Sequence, residues 1–534
     1  MPPVSSIPPP SSVLPAPKET STAPTGARHV IAVGGGRGGV GKSVLALNMA
    51  VYLAQLGRSV LLVDADGTGA TLHTLLGVEP PKEALGEESD DEALPLVATP
   101  VPGLRLVPQT YRAGSTQPER SGKKAHWVAD LRKLDVDYVV LDLGAGTAPA
   151  TLDLFLSADI GVTVTTPEPP SVEAVYRFVR GLFQRTVRRL FVSDRFRLRL
   201  LERAQAELGA LPTPAELARA LGRYDSNLGH LAAAELARLR PRLVVNETRL
   251  RTDIELGPTM NEMARRYLGV ELEYVGHVEH DDAAWLSVLR RRPLLIDNTT
   301  SKSARNIERI ARRLLALMMT REAERTVEPI PLVAPEPNLY DVLGVSRGAT
   351  DEELRRAYKR QRENYQSGSL PLTSLLTSDA LKLEQAHVEE AHDTLLDPLR
   401  RKAYDASVFP DEPVPAPKPA VVDAALEAER EMMQRELARE INAETEFTGA
   451  LLGKVRESRG ISIEDIARAT KISMSHLRAI EADAFSELPA LVYTRGFVQE
   501  LAKYLRLDSA QVTKTYVRRF REFLAAQGGG DTAS

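Results

Sequence analysis

The sequence contains no cysteine, which excludes disulfide bonds and thiolate metal sites. It has no uninterrupted apolar run near the length of about 20 residues that a membrane-spanning helix requires. Its first residues are rich in proline and serine and lack the apolar core of a secretory signal. A formal net charge of -4 predicts no general affinity for nucleic acid or anionic lipid. We therefore expect a cytoplasmic protein without a transmembrane segment, whose contacts with DNA or a membrane surface are local.

The chain of 534 residues is too long for one hydrophobic core, and its length predicts three or four domains. Residues 1–28 are a Pro/Ser-rich tail that we expect to be disordered, because they cannot bury enough apolar surface to offset the entropy of ordering. From 29 to 325, apolar runs alternate with helical patterns, which indicates a mainly parallel sheet covered by helices. The predicted strands are HVIAV, SVLLVD, LRLVP, DYVVLDL, IGVTVTT and RLVVNE. An arginine-rich helical insertion at about 183–239 interrupts the alternation.

Two small all-α domains are predicted after the α/β domain, each on a linker. Residues 326–337 and 409–421 are punctuated by proline and read as those linkers. The remaining segments are a helical module at 338–408, a charged helix at 422–446, a helical domain at 447–523 and a disordered tail at 524–534.

The stretch GGGRGGVGKS, residues 34–43, follows a predicted strand and leads into a predicted helix, which is the context of a P-loop. Its glycines allow backbone N–H groups to curl around phosphate oxygens. Lys42 supplies a positive charge to the outer phosphates, and the Ser43 hydroxyl is suited to Mg²⁺. The predicted nucleotide contacts are Gly36, Gly38, Gly39, Val40, Gly41, Lys42 and Ser43. The fold class is thus multidomain, with an α/β P-loop ATPase domain of mainly parallel sheet followed by the two all-α domains.

RGGVGKS resembles the deviant Walker A loop of the MinD/ParA family of ATPases, which usually reads KGGxGK followed by Ser or Thr. The resemblance implies ATP and Mg²⁺ as ligands and an ATP-dependent homodimer in which the extra cation reaches the partner's nucleotide. Arg37 occupies that position, and a guanidinium keeps its charge and presents a planar fork to phosphate. Two interpretations remain open for Arg37: a catalytic cation acting across the dimer, or a solvated arginine on a monomer.

The same resemblance assigns roles to residues that follow later strands. Asp64 is expected near the metal and Asp66 in switch I, where it helps to orient the attacking water. Asp142 is expected to hold the metal's water shell, and 144–146 to form switch II. Asn246 stands where relatives contact adenine. GHVEHDD, residues 276–282, matches a family loop but lacks its usual proline.

Within the family, 29–320 resemble the FlhG-type branch through DLGAGTAPATLDLFLSAD, TTPEPPSVEAVYRFV and WLSVLRRRPLLIDNTTSKSARNIERIARRL. The chain lacks the short N-terminal DQAxxLR-like motif of the flagellar members, so a flagellar role does not transfer. In SARNIERIARRLLALMM the apolar residues Ile307, Ile310, Leu314 and Leu317 share one helix face. That face either docks on its own domain or lies peripherally on an anionic membrane. The arginines of the insertion either bind acidic partners or DNA, or form a solvated face.

The two helical domains carry resemblances of their own. NLYDVLGVSRGATDEELRRAYKRQRENYQ and VEEAHDTLLDPLRRKAYD resemble a J-domain, but Tyr365 is followed by Gln-Ser-Gly in place of His-Pro-Asp, which predicts a docking module without co-chaperone activity. The last domain resembles the helix-turn-helix of RodZ-type proteins, which bind an actin-like filament protein through aromatic residues. Tyr493, Phe497 and Tyr504 are the candidates for that contact, whereas DNA is the alternative partner, read by the second helix of the motif.

Three hypotheses follow for the whole chain. The first is a slow ATPase that works as a dimerisation switch and positions or regulates cellular machinery through protein partners of its C-terminal modules. The second is a DNA-binding transcriptional regulator controlled by nucleotide. The third is a scaffold that binds nucleotide with little turnover.

Overall fold

The computed structural model describes residues 29–67, 69, 71–79, 96–108, 128–129, 131–209, 211–320, 329–333, 337–410 and 424–528. The predicted tail at 1–28, positions 411–421 of the second linker and positions 529–534 of the last tail lie outside the described residues. Within the described part of the chain, no helix is long and apolar enough to cross a membrane.

The α/β domain is built on an eight-stranded sheet of order β3-β4-β2-β5-β1-β6-β7-β8. All neighbouring strands are parallel except β3 and β4, which are antiparallel. The strands are β1 (His29–Gly34), β2 (Val60–Ala65), β3 (Val97–Ala98), β4 (Leu104–Val107), β5 (Tyr138–Leu143), β6 (Ile160–Thr165), β7 (Arg242–Thr248) and β8 (Glu273–Glu279). The six predicted strands all form, and the prediction of a mainly parallel sheet is confirmed.

Helices cover both faces of this sheet, as expected for parallel strands that are buried on both sides. They are α1 (Lys42–Gln55), α2 (Leu72–Leu75), α3 (Pro149–Ser157), α4 (Pro169–Leu190), α5 (Arg195–Leu208), α6 (Pro214–Tyr224), α7 (Ser226–Arg238), α8 (Arg251–Met263), α9 (Asp282–Leu289), α10 (Leu294–Asp297) and α11 (Lys302–Thr320). A π-helical turn, Ala264–Leu268, continues α8.

The arginine-rich insertion begins later than its sequence pattern predicts, because α4 runs without a break through position 183. The extra helices are α5, α6 and α7, each started by a side-chain cap from Asp194, Thr213 or Asp225. Their apolar side chains join a core with α4 and the π-helical turn. The insertion is therefore packed into the α/β domain.

The apolar face of α11 is docked on its own domain. Ile307, Ile310, Leu314 and Leu317 are all buried in the core that also contains α1. Of the two interpretations of this helix, the structure favours docking, because these side chains have no surface left to offer a membrane.

The middle module consists of α12 (Leu339–Leu343), α13 (Asp351–Asn364), α14 (Ser378–Leu395) and α15 (Pro398–Val408). Its core holds Leu343, Leu354 and Ala357. The module is seated on the α/β domain: the Tyr267 and Tyr365 hydroxyls are 2.8 Å apart, and Arg266 Nη2 donates to Glu384 Oε2 at 2.6 Å. The three residues after Tyr365, where a J-domain has its His-Pro-Asp loop, are exposed.

The predicted charged helix is α16 (Ala424–Glu440), and the C-terminal domain follows as α17 (Gly449–Ser458), α18 (Ile463–Thr470), α19 (Met474–Glu481), α20 (Leu491–Tyr504) and α21 (Ser509–Gly528). Helix α16 packs on α11 and on α1. Glu436 Oε1 accepts a hydrogen bond from the Tyr52 hydroxyl at 2.6 Å, and Glu436 Oε2 accepts one from Arg312 at 3.1 Å. The charged sequence of α16 is typical of a solvated connector, but in the structure this helix is packed on the α/β domain.

Candidate functional site

The P-loop lies between the end of β1 at Gly34 and the start of α1 at Lys42. Gly39 and Gly41 adopt positive φ angles of 77° and 90°, which a residue with a side chain rarely adopts. A Cβ on Gly36 would overlap the backbone carbonyl of Ala174 in α4. The loop therefore needs glycine for two reasons, backbone conformation and close packing.

Lys42 occupies the centre of the loop and is almost fully buried. Its Nζ donates a hydrogen bond to the Arg37 carbonyl at 2.9 Å. Burial lowers the pKa of Lys42, while the negative charges of Asp142 and Asp66 act in the opposite direction. The buried Lys42 ammonium beside the backbone of the glycine loop is suited to binding an anionic group such as a phosphate.

Two of the predicted carboxylates are brought side by side by the sheet, since Asp64 and Asp142 are register partners on β2 and β5. Burial raises the pKa of Asp64 to about 6, and burial raises the pKa of Asp142 to about 7. The Asp64 carboxylate accepts from the backbone N–H groups of Thr71 and Leu72 at 3.1 and 3.2 Å. Ser43 hydrogen-bonds to Asp142, whereas Asp142 Oδ1 is buried and accepts from none of the described residues.

This arrangement fits Mg²⁺. Carboxylates that are expensive to bury as anions are compensated when a divalent cation binds beside them. Among the described residues no three His, Cys, Asp or Glu side chains converge into a ready-made metal cage. Where nucleotide phosphates complete a Mg²⁺ site, the protein supplies one or two carboxylates.

The switch segments lie against the P-loop. The Gly146 N–H donates to the Gly35 carbonyl at 3.1 Å, so the segment expected to form switch II is tied directly to the phosphate loop. Asp66 accepts from the Gly69 N–H at 3.1 Å, and a Cβ on Gly144 would come within 2.8 Å of Asp66 Oδ1. The segments expected to form switch I and switch II therefore touch each other beside Lys42.

Arg37 points out of the loop and has a partner that sequence reasoning missed. Its Nη1 donates to Glu168 Oε2 at 2.8 Å, and both side chains remain substantially exposed, at 40% and 56%. Glu168 immediately precedes α4 and makes no side-chain cap to that helix. The stretch TTPEPPS contains Glu168 after a strand end, but nothing in that pattern identifies its partner.

A cavity of about 320 Å³ opens beside Gly41 and Asn246. The Asn246 amide donates to the Val40 carbonyl at 2.9 Å, which places it against the P-loop. The other walls come from the ends of β7 and β8 and from α9, including the 62% exposed Trp285. Asn246 was predicted at this position, whereas Trp285 was not, because β8 and α9 were not assigned from the sequence.

Comparisons with known proteins match two segments of the chain. Residues 26–190 match a family model described as "NUBPL iron-transfer P-loop NTPase", and residues 451–512 match one described as "Helix-turn-helix domain". The chain is 30% identical to an iron-sulfur cluster carrier protein of Aquifex aeolicus over 29% of this chain and 43% of that one. It is 33% identical to the antiactivator FleN of Pseudomonas aeruginosa, with 29% and 56% covered.

A flagellum site-determining protein, YlxH of Helicobacter pylori, is 30% identical, with 28% of this chain and 52% of that one covered. Among solved structures, the septum site-determining protein MinD of Pyrococcus horikoshii with Mg-ADP is 19% identical at a TM-score of 0.36, with 55% and 99% covered. The chain spans about half the length of the curated relatives it matches. It contains a P-loop NTPase domain of the ParA/MinD family, with flagellum site-determining homologues, and a helix-turn-helix domain near its C-terminus.

Proposed function

We propose that the chain is an ATP-binding and ATP-hydrolysing dimerisation switch of the MinD/ParA type, which positions or regulates cellular machinery. One observation carries the proposal: a buried Lys42 and a pair of buried carboxylates surround a glycine loop, while Arg37 projects outward beside them. A chain that only binds nucleotide has no need for an exposed cation at that position.

The reaction is attack of water on the γ-phosphorus of ATP. A bond forms between the water oxygen and phosphorus as the bond to the β–γ bridging oxygen breaks, and the water proton leaves with the phosphate product. Asp66 orients the water, Lys42 neutralises charge on the outer phosphates, and Arg37 of one copy supplies charge to the nucleotide of the other. Ser43, Asp64 and Asp142 would hold Mg²⁺, whose chemistry when bound is to polarise the phosphate oxygens.

Base recognition is assigned to the cavity beside Asn246. Its volume and largely apolar walls suit one stacked ring system, and Asn246 provides a polar group where the cavity meets the P-loop. The loop at 279–282 approaches the cavity without the proline expected from the family, so its contacts to adenine come from other side chains.

The iron–sulfur cargo named for some relatives is not part of this proposal. Iron–sulfur clusters are held chiefly by cysteine thiolates, and the sequence contains none. The relatives named as an antiactivator and as a flagellum site-determining protein favour a regulatory switch instead. Packing of the middle module and of α16 on the α/β domain favours a role for the C-terminal modules in receiving or delivering the nucleotide signal.

The test is the particle mass of the full chain by light scattering with Mg-ATP, with Mg-ADP and without nucleotide. We expect a dimer with Mg-ATP only, and we expect an Asp66→Ala chain to stay dimeric for longer because hydrolysis is slowed. If the chain remains monomeric at saturating Mg-ATP while it hydrolyses ATP, the proposed dimerisation switch is wrong. A chain that binds ATP without turnover, alone and with candidate partners, would leave a scaffold.

A further inference from the structure

A basic groove lies between α20 and α21 of the C-terminal domain, with a volume of about 580 Å³. Four cationic side chains line it, Arg495 from α20 and Lys514, Arg518 and Arg521 from α21, and no carboxylate does. A groove lined by positive charges attracts polyanions, because the positive charges repel each other until negative charges are bound beside them.

Most of this charge is free within the described part of the chain. Arg495, Lys514 and Arg521 are exposed and have no hydrogen-bond or ion-pair partner among the described residues. Arg518 contacts Glu446 and lies 3.8 Å from Glu522. Asp508, at the start of α21, uses its carboxylate on the backbone N–H groups of Ala510 and Gln511, at 2.9 and 3.1 Å.

The positions of the cations form a stripe. Lys514, Arg518 and Arg521 are spaced i, i+4 and i+7, so they project from one side of α21 over about 10 Å. A duplex strand rises about 3.4 Å per phosphate, so the stripe has the length of about three consecutive phosphates. Arg495 on α20 faces the same groove from the other wall.

The rest of the lining is small, and apart from Ala510 and Val517 it is polar. It includes the hydroxyls of Ser509, Thr513 and Thr515 and the amide of Gln499, and Thr513 Oγ1 is buried without a partner among the described residues. No aromatic or large apolar side chain lines the groove to anchor a peptide or stack on an unpaired base. Cations with hydroxyls are the groups that commonly contact nucleic-acid phosphates.

The recognition helix α19 offers much less. Its Arg478 lies 3.8 Å from Glu464, and its last residue, Glu481, accepts from Arg456 at 2.6 Å. Glu481 also gives its backbone carbonyl to Arg305 of α11 at 3.4 Å, so the end of α19 is held at the α/β domain. The free positive charge of the domain therefore lies at the α20/α21 groove and not on this helix.

We propose that the α20/α21 groove binds the phosphate backbone of duplex nucleic acid without regard to sequence. The binding is electrostatic, needs no nucleotide in the P-loop, and requires no contact of the recognition helix α19 with base edges. Through the packing of the C-terminal domain on α11 and α16, it tethers the proposed ATPase switch to a nucleic-acid surface.

The test uses the full chain and a labelled duplex of about 30 base pairs with arbitrary sequence, with binding followed by fluorescence anisotropy between about 50 and 200 mM salt. The groove variant is Lys514→Glu with Arg521→Glu. The matched control is Lys471→Glu with Arg478→Glu, which makes the same charge change in the turn before the recognition helix and in that helix. Unfolding curves of both variants should overlay that of the parent chain, because all four side chains are exposed.

We expect the groove variant to bind at least about tenfold more weakly and to lose about two units of salt dependence, whereas the control stays within about threefold of the parent. A Lys42→Ala chain should bind the duplex as the parent does, which separates this result from any failure of the ATPase proposal. The proposal is overturned if the parent does not bind duplex at about 50 mM salt, or if the control variant loses more affinity than the groove variant. It is also overturned if the groove variant affects binding of polyglutamate but not of duplex.

Discussion

Arg37 and Glu168 form an ion pair of 2.8 Å that joins the P-loop to the residue preceding α4. The pair spans 131 residues of sequence and is exposed on both sides. If Arg37 acts on the nucleotide of a second copy, this contact must break before the dimer closes. The ion pair thus stabilises the isolated chain against the closed dimer by up to about 1 kcal/mol, the usual limit for exposed pairs.

Glu168→Gln should therefore favour the dimer. Removing the competing carboxylate frees Arg37, and since each of the two copies breaks one such pair, we expect the chain concentration for half-maximal dimer with Mg-ATP to fall by up to about thirtyfold. The measurement is a light-scattering titration, and Glu173→Gln is the control because Glu173 pairs with Arg177 further along α4. Weaker dimerisation of Glu168→Gln would show that Glu168 itself contributes to the interface.

Arg37→Ala should separate binding from turnover. ATP binding is expected to stay near the parent level, since the guanidinium projects away from the loop, but hydrolysis should fall by about 10³-fold if the arginine neutralises transition-state charge. Arg37→Lys should recover part of that loss, because it keeps the charge without the planar fork. Arg58→Ala, an exposed arginine at the opposite edge of the sheet, is the control for steady-state phosphate release. Normal turnover by Arg37→Ala would leave the arginine with no catalytic role.

Gly36 and Gly38 offer a matched pair in one loop. A Cβ at Gly36 would overlap the Ala174 carbonyl, whereas the nearest atom to a Cβ at Gly38 is Ala145 Cβ at 4.0 Å. We expect Gly36→Ala to lower the free energy of unfolding by about 2 kcal/mol and to weaken ATP binding, because the loop or α4 must shift. Gly38→Ala should unfold at the parent's temperature. Equal thermal stability of the two variants would contradict the close packing of the loop on α4.

Much of this site is visible in the sequence because it depends on short-range patterns. Parallel strands place the glycine loop, the helix after it and the carboxylates at the strand ends on one side of the sheet. Asp64 and Asp142 are then register partners on neighbouring strands. Glu168 was not predicted, because its partner lies 131 residues away and the pairing has no local pattern. Strand β8, EYVGHVE, was also missed, since glutamate, glycine and histidine interrupt its apolar residues.

Packing between modules was equally inaccessible from the sequence. Helix α16 has charged residues around most of its surface, which is typical of a solvated connector. Only the tertiary structure brings Glu436 to both Tyr52 and Arg312 and buries the contact. The local sequence thus predicts that α16 is a helix. The partners of its charged side chains depend on the elements that it packs against.

Glu436→Gln tests that interface. The Arg312 side chain is only 4% exposed, so removal of its charge partner should lower the free energy of unfolding by about 2–3 kcal/mol. Burial opposes ionisation of Glu436, but Arg312 and the Tyr52 hydroxyl outweigh burial and lower the pKa of Glu436. The ionised carboxylate therefore stabilises the fold above about pH 4.5, and this contribution is lost as the pH falls through the lowered pKa. Glu431→Gln, whose partner Arg435 is exposed, should change stability by less than about 0.5 kcal/mol in the same thermal unfolding assay. Equal effects of the two variants would show that α16 is not held at this contact.

Asp142→Asn should stabilise the nucleotide-free chain while it weakens Mg-ATP binding. Burial raises the pKa of Asp142 to about 7, so the folded chain binds a proton that the unfolded chain releases near pH 4. Stability of the parent without nucleotide is then expected to fall as the pH rises from about 4 to about 7, by on the order of 3 kcal/mol. The asparagine variant should lose this part of the pH dependence and unfold at a higher temperature at pH 8, whereas the exposed Asp135→Asn should match the parent. With Mg-ATP added at pH 8 the order should reverse, because only the parent has the carboxylate that a bound cation compensates. An asparagine variant that is less stable than the parent without nucleotide at pH 8 would mean that the buried carboxylate is already compensated within the protein.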